Sequence, residues 1–318
     1  MRGKYFFCFF FMFFCSVFSL LKIKAQDVTY GLPQEIWQNC RYNHNGEWLL
    51  DMASERWCNL SVSDQQSYAK AYQEGYARAK GLDLEKIINK SGAMFEFRLI
   101  PPGRFWRGSP EEEVGRNDRE KRHKVVISNA YYIQKTEITQ IQWRSITGES
   151  PFSRQIKMEE NDSHAAAYIS WDNIKGKMLT KMGEEYRLPT EAQWEYACRG
   201  GTTGRYYWGE SESEIGQYAN SDWGNNSFKY IAPVMSFKPN AFGLYDMIGN
   251  VWEWCEDMFQ NYTGEDLVDP CNISGSKRVF RGGSCYPFGI RWLRSACRGW
   301  DDSSLRNDRT GARLLLRL

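Results

Sequence analysis

Sixteen residues constrain this chain more than any other stretch: Asn240–Cys255, NAFGLYDMIGNVWEWC. Gly243 and Gly249 permit tight turns that most residues resist. Between and beyond them stand two carboxylates, Asp246 and Glu253, and the segment closes on a Trp-Glu-Trp run of strand character. Hard oxygen donors beside a turn that exposes backbone carbonyls suit Ca²⁺, which takes six to eight oxygens. The bland alternative for Asp246 and Glu253 is turn capping and a surface ion pair.

Two further blocks accompany it in fixed order. Upstream is YRLPTEAQWEYACRGG, Tyr186–Gly201; downstream is RVFRGGS, Arg278–Ser284, followed by RSACRG and a terminal GARLLL. FEFRLIPPGRFWRGS (Phe95–Ser109) and YYIQKTEITQIQW (Tyr131–Trp143) precede them. Together these blocks resemble the sulfatase-modifying-factor domain, the family of the formylglycine-generating enzymes, from about residue 93 to 318. The resemblance implies an α+β, loop-rich C-type-lectin-like fold. It also implies calcium at Asp246, Gly249 and Val251 (both through carbonyls) and Glu253. A second calcium site of the family falls on Asn220, Ser221, Asn226 and Phe228, where the loop is shorter and an Asn replaces the usual Asp.

The family's enzymes oxidise a cysteine with O₂ and Cu(I) held by two thiolates, soft ligands that suit Cu(I). Those cysteines are spaced C-x4-C soon after the Gly-Gly-Ser. The matching positions here are Pro287 and Trp292, and a two-residue shift brings Ile290 to the second. Copper is therefore not expected. Ser284 is retained, Arg294, Arg298 and Arg313 fall in the family's Arg-rich finish, and GAR stands for its Gly-Phe-Arg. Cys285 and Cys297 lie twelve residues apart, a spacing the family does not use. They and Ser284 are the candidates for residual chemistry, against the reading of Cys as a buried small hydrophobe. Cys198 matches a disulfide-forming family position whose partner position is Leu314.

Other enzyme classes fail on inventory. His44, His123 and His164 show no metal spacing; HExxH, a P-loop, GxGxxG and GxSxG are absent. Two function classes remain. One is a non-catalytic binding or scaffold protein of the cell envelope, holding a protein, peptide or glycan in a groove near Ser284. The alternative is an atypical oxidoreductase acting on thiols.

Residues 1–25 read as a signal peptide: basic Arg2 and Lys4, a 17-residue apolar run Tyr5–Leu21, and Ala25 at the cleavage point. An uncleaved anchor is the rival reading, because 17 residues sit at the short limit for a bilayer. A lipid-modified Cys15 is disfavoured by Phe13-Phe14. Cleavage implies export to the periplasm, envelope or outside, with no membrane span left. It removes Arg2, Lys4, Lys22 and Lys24 from 41 basic residues, leaving 37 against 39 acidic ones. That balance gives no electrostatic case for nucleic acid. The short mixed run Arg119–Lys124 reads as a solvated loop. Export permits disulfides, and Cys40 and Cys58 are the candidate pair.

Residues 26–92 form an N-terminal extension outside the family pattern, with one helix expected from Ser63, capped by a Ser63/Gln66 box and stopped at Gly81. Its Tyr68/Tyr72/Tyr76 face packs on its own domain or on a partner. Further helices are expected after Thr139 to Gly148, from Trp171 to Met182 with Ile174, Met178 and Met182 inward, and from Thr190 with a Thr190/Gln193 box and Trp194 inward. Val125–Ile127 and Tyr131–Ile133, flanking Ser128-Asn129, read as a hairpin. The loops beyond Gly200 need something to hold them, commonly ions.

Overall fold

The structure is a computed structural model that describes residues 28–151, 159–223, 228, 230–286 and 289–318. Residues 1–25, where a signal peptide is expected, lie outside them, as do Asn226 and Pro287.

Three of the expected helices form, each from a local signal. Thr139 caps Gln140–Thr147 and Thr190 caps Glu191–Arg199, both through reciprocal boxes with the glutamine three residues on. Gly148 and Gly200 end these helices in the left-handed region. Residues 171–182 are helical, with a π turn at Ile174–Leu179, and bury Ile174, Met178 and Met182.

The Val62–Lys80 helix begins two residues earlier than the sequence suggests. Ser61, not Ser63, accepts from the Asp64 N–H at 3.1 Å. Both serines have a suitable residue three positions on, so local spacing alone does not choose between them. Gly81 stops the helix at φ 64°.

The expectation of a one-helix extension is corrected. Gln34–Asn39 and Glu55–Cys58 are also helical, and the hairpin Arg41–His44/Glu47–Asp51 joins a sheet of the main body. Leu50 and Asp51 pair in parallel with Gly103 and Arg104. The tyrosine face packs on its own chain: Tyr72 is fully buried and donates to the Pro102 carbonyl at 2.9 Å. Gly75 is required there, because a Cβ would lie 1.8 Å from the Tyr30 carbonyl oxygen.

Three sheets organise the molecule. The first runs in order Arg41–His44, Glu47–Asp51, Gly103–Arg107, His123–Ile127, Leu267–Val268. The second runs Glu85–Lys90, Ala93–Ile100, Tyr131–Gln134, Leu315–Leu316, Tyr186–Arg187. The third, Arg298–Asp301, Arg278–Arg281, Trp252–Met258, Thr310–Gly311, carries two of the diagnostic blocks side by side. The hairpin expected around Ser128-Asn129 does not exist: its two arms enter different sheets. Both arms are largely buried and need partners on both edges, which a hairpin would not supply.

Arg119–Lys124 is not a solvated loop throughout, since Glu120 and His123 are buried. Cys40 and Cys58 form no disulfide; all seven described cysteines are free thiols. The backbone bond from Asp51 N–H to the Cys40 carbonyl, 2.8 Å, ties that loop instead. No described helix is long and apolar enough to cross a membrane.

Candidate functional site

The 240s turn and the 280s loop meet. Gly249 N–H donates to the Gly282 carbonyl at 2.9 Å, and Cys285 N–H to the Asn250 carbonyl at 3.0 Å. Gly282 lets the two segments lie this close, since a Cβ there would lie 3.1 Å from the Met247 carbonyl oxygen. Asp246 and Asn250 both sit at positive φ, 57° and 54°, conformations that cost energy outside glycine.

Beneath this junction lies a carboxylate cluster that sequence reading only half found. Asp246 accepts from Met235 N–H through Oδ2, while its buried Oδ1 has no partner. Glu137, missed in the sequence, is fully buried; Oε1 accepts from Asn250 Nδ2 at 3.1 Å and Oε2 has no partner. Burial, then the charges of Asp246 and Glu253, raise the Glu137 pKa well above its usual value. Burial pushes Asp246 up to about 6. Glu253 differs. Arg313 grips both its oxygens at 2.7 Å, and Trp194 Nε1 donates to Oε2 at 2.7 Å. Its charge is already matched, so Asp246 and Glu137 are the carboxylates that a cation would satisfy. No three His, Cys, Asp or Glu side chains among the described residues converge as a metal cage. A site here therefore depends on carbonyls, which the Gly249–Val251 turn can offer.

At the second expected calcium position, Asn220 and Ser221 are buried and Phe228 is exposed. Asn220 Nδ2 donates to the Tyr230 carbonyl and to Asn250 Oδ1, and its buried Oδ1 has no partner.

The candidate reactive side chains are not brought together. Ser284 is buried, its Oγ 3.5 Å from Tyr286 N–H. Cys285 packs among Ala165, Ala167, Ile231 and Val251. Cys297 lies beside Arg294 and Glu120. Burial pushes both thiols up to about 12, disfavouring the nucleophilic thiolate.

What the surface offers is an aromatic cleft of about 240 Å³ above the third sheet. Trp252, Phe280, Trp292 and Trp300 line it, with Asp301 and Arg309 at its polar side. Trp252 meets Phe280 edge-on at 5.1 Å and Trp292 at 6.2 Å between centroids. Trp292, at an expected copper position, is thus a wall of this cleft.

The sulfatase-modifying factor enzyme 1-like domain family matches residues 89–318. The mouse formylglycine-generating enzyme is 32% identical over 252 residues, covering 74% of this chain and 63% of that protein. The bovine inactive Cα-formylglycine-generating enzyme 2 is 35% identical over 132 residues, 37% of this chain and 39% of that protein. The chain thus spans less than two thirds of the length of the curated relatives it matches. Among solved structures, Treponema denticola variable protein 1 superposes with a TM-score of 0.65 at 26% identity, covering 74% of this chain and all of that one. The architecture is accordingly the loop-rich, mixed α and β, lectin-like fold that the sequence blocks implied.

Proposed function

This chain belongs to the sulfatase-modifying factor enzyme 1-like family, and from that premise we propose an exported, non-catalytic binding protein of the cell envelope. One observation carries the reading. Where the family's enzymes present a copper-binding cysteine pair, this chain has Pro287 and Trp292, and Trp292 walls an aromatic cleft instead. An aromatic wall with a few polar groups is a recognition surface and supplies no redox centre. The cleft has room for one apolar side chain or one sugar ring, so a peptide or glycan is the ligand class. Relatives of both kinds exist, some named as generating enzymes and one named inactive.

A binding screen over peptides and glycans tests this. Trp300→Ala removes one half-exposed wall, and affinity for any ligand of the cleft is expected to fall at least tenfold, or about 1.4 kcal/mol. Saturable binding that the substitution leaves unchanged would place recognition elsewhere.

Calcium belongs to the same reading. Asp246 and Glu137 would supply carboxylate oxygens and the Gly249 and Val251 carbonyls the next donors, with Glu253 held beside them by Arg313. Bound calcium would neutralise the cluster and fix the turn under the 280s loop. A ligand at a hundred times its Kd stabilises by about 2.7 kcal/mol, worth roughly 5–10 °C in a domain of this size. EDTA is expected to lower the melting temperature by that amount, and Asp246→Asn to abolish the difference. An unchanged transition together with no metal by elemental analysis would remove calcium from the account.

A further inference from the structure

Away from the aromatic cleft, a second cavity of about 740 Å³ opens beside the Tyr186–Arg187 strand. Its wall carries Arg187, Arg317, Lys175 and Lys80, with Thr190 and Gln193 among the polar groups. Three side-chain carboxylates share the wall with the Leu318 end of the chain, and each of the three is already engaged. Glu47 pairs with Lys80 at 2.7 Å and Glu256 with Lys175 at 2.9 Å. Asp269 accepts from the Ser128 N–H at 2.9 Å and from the Ser128 hydroxyl.

The two guanidiniums are left over. Among the described residues no carboxylate pairs with Arg187 or Arg317. Arg187 Nε is buried and donates to nothing. Burial first, then the like charge of Arg317, lower the Arg187 pKa from its ordinary value. A half-buried guanidinium with a buried unsatisfied N–H is costly to hold. Placing a second guanidinium within its field adds repulsion, and an anion held between the two would relieve both.

We propose that the Arg187–Arg317 cavity is a binding site for a doubly charged oxyanion, a phosphate or sulfate group carried by a polar ligand. The planar guanidinium fork matches such groups through paired N–H donors. Two unpaired forks call for two negative charges, which a single carboxylate does not bring. The volume exceeds that of a free oxyanion, so the ligand carries more than the charged group, and the Thr190 hydroxyl proton and the Gln193 Nε2 amide, which the capping box leaves unused, can meet its polar body. The site is independent of the aromatic cleft and of calcium.

Isothermal titration calorimetry on the mature full chain tests the proposal, with inorganic phosphate, inorganic sulfate and acetate as probes in chloride buffer at matched ionic strength. Saturable binding of phosphate or sulfate is expected, at least tenfold tighter than acetate. Arg317 is exposed, so Arg317→Gln should fold normally, and it is expected to weaken that binding at least tenfold. Arg187→Gln should do the same. Lys277→Gln, which removes a surface charge paired with Asp302, should leave it unchanged. Melting curves of each variant establish folding. No saturable binding by folded wild-type protein overturns the proposal. So does equal affinity for acetate, or undiminished affinity in folded Arg317→Gln. If phosphate binds and sulfate does not, or the reverse, the carried group is identified.

Discussion

Glu191→Ala is expected to cost about 3–5 kcal/mol of folding stability, the range for stranding buried partners of a lost charge. Three arginines converge on this one carboxylate. Arg298 holds it through Nε at 2.6 Å and Nη2 at 2.8 Å, Arg281 through Nη1 at 2.9 Å, and Arg107 through Nη2 at 2.8 Å. All four side chains are buried. Glu195 takes the other arm of Arg281 at 2.8 Å, and Tyr262 lies under Arg298 and Arg107 at 3.8 and 4.3 Å. The network ties the Glu191–Arg199 helix to strands of two sheets, so its loss should loosen the platform beneath the cleft. Glu85, whose carboxylate is well exposed in its pairs with Arg98 and Lys135, gives the contrast. Glu85→Ala should cost no more than about 1 kcal/mol. Urea unfolding measures both, and a Glu191→Ala loss as small as that of Glu85→Ala would refute the network's weight.

Acid adds a second signature. Although burial opposes it, the surrounding arginines hold the carboxyls of Glu191 and Glu195 below their usual range. A depressed carboxylate pKa contributes stability that is present above the unfolded value, near 4.5, and lost as pH falls below it. Asp257 works the other way: burial, then Glu191, raise it to about 6, so it costs stability as pH rises from 3.8 through 6. Wild-type protein should therefore lose stability steeply below pH 4.5, and Glu191→Ala should show a shallower acid limb.

Glu191 also marks what local sequence reveals and what it does not. In TEAQWEY it reads as an acid in the first turn of a helix, and the Thr190/Gln193 box and the Gly200 stop were legible because their partners lie within a few residues. Its arginines lie 84, 90 and 107 residues away, and no periodicity points to them. Glu137 is similar. It stood inside a recognised block, Tyr131–Trp143, yet nothing local marks it as a partner of Asp246, and only the fold brings the two together. The failed hairpin at Ser128-Asn129 has the same origin, because both arms find their partners across the molecule. Arg187 stood inside a recognised block, yet nothing local showed that it lacks a counter-charge. By contrast, the Asn240–Cys255 block was legible as a tight turn carrying two acids because Gly243, Gly249 and the Trp-Glu-Trp run lie among neighbours. The two acids look alike in sequence. Only the position of Arg313 separates the satisfied Glu253 from the unsatisfied Asp246.

Incubated with Cu(I), reductant, O₂ and a CxPxR peptide, this protein is expected to form no formylglycine. The family's chemistry needs two thiolates on one copper, with room for substrate thiol and O₂. Pro287 has no donor atom in its side chain. Trp292 has an indole N–H, which donates and does not ligate, and its ring is packed against Trp252. The remaining thiols nearby do not substitute for the pair. Cys285 sits in an apolar pocket with Val251 and Ile231, and Cys297 sits beside Arg294; burial raises both to about 12. Forming a copper site from them would require two buried thiols in separate surroundings to ionise and meet, against the packing that holds each. Mass spectrometry of the peptide reads the result directly, with a formylglycine-generating enzyme run alongside as the positive control. Binding is read separately, because the cleft can hold a peptide without converting it. Turnover that disappears in Cys285→Ala or Cys297→Ala would prove this reading wrong and locate a displaced copper centre. Peptide binding without turnover, weakened by Trp300→Ala, would fit a recognition cleft built where the family's enzymes keep a redox site.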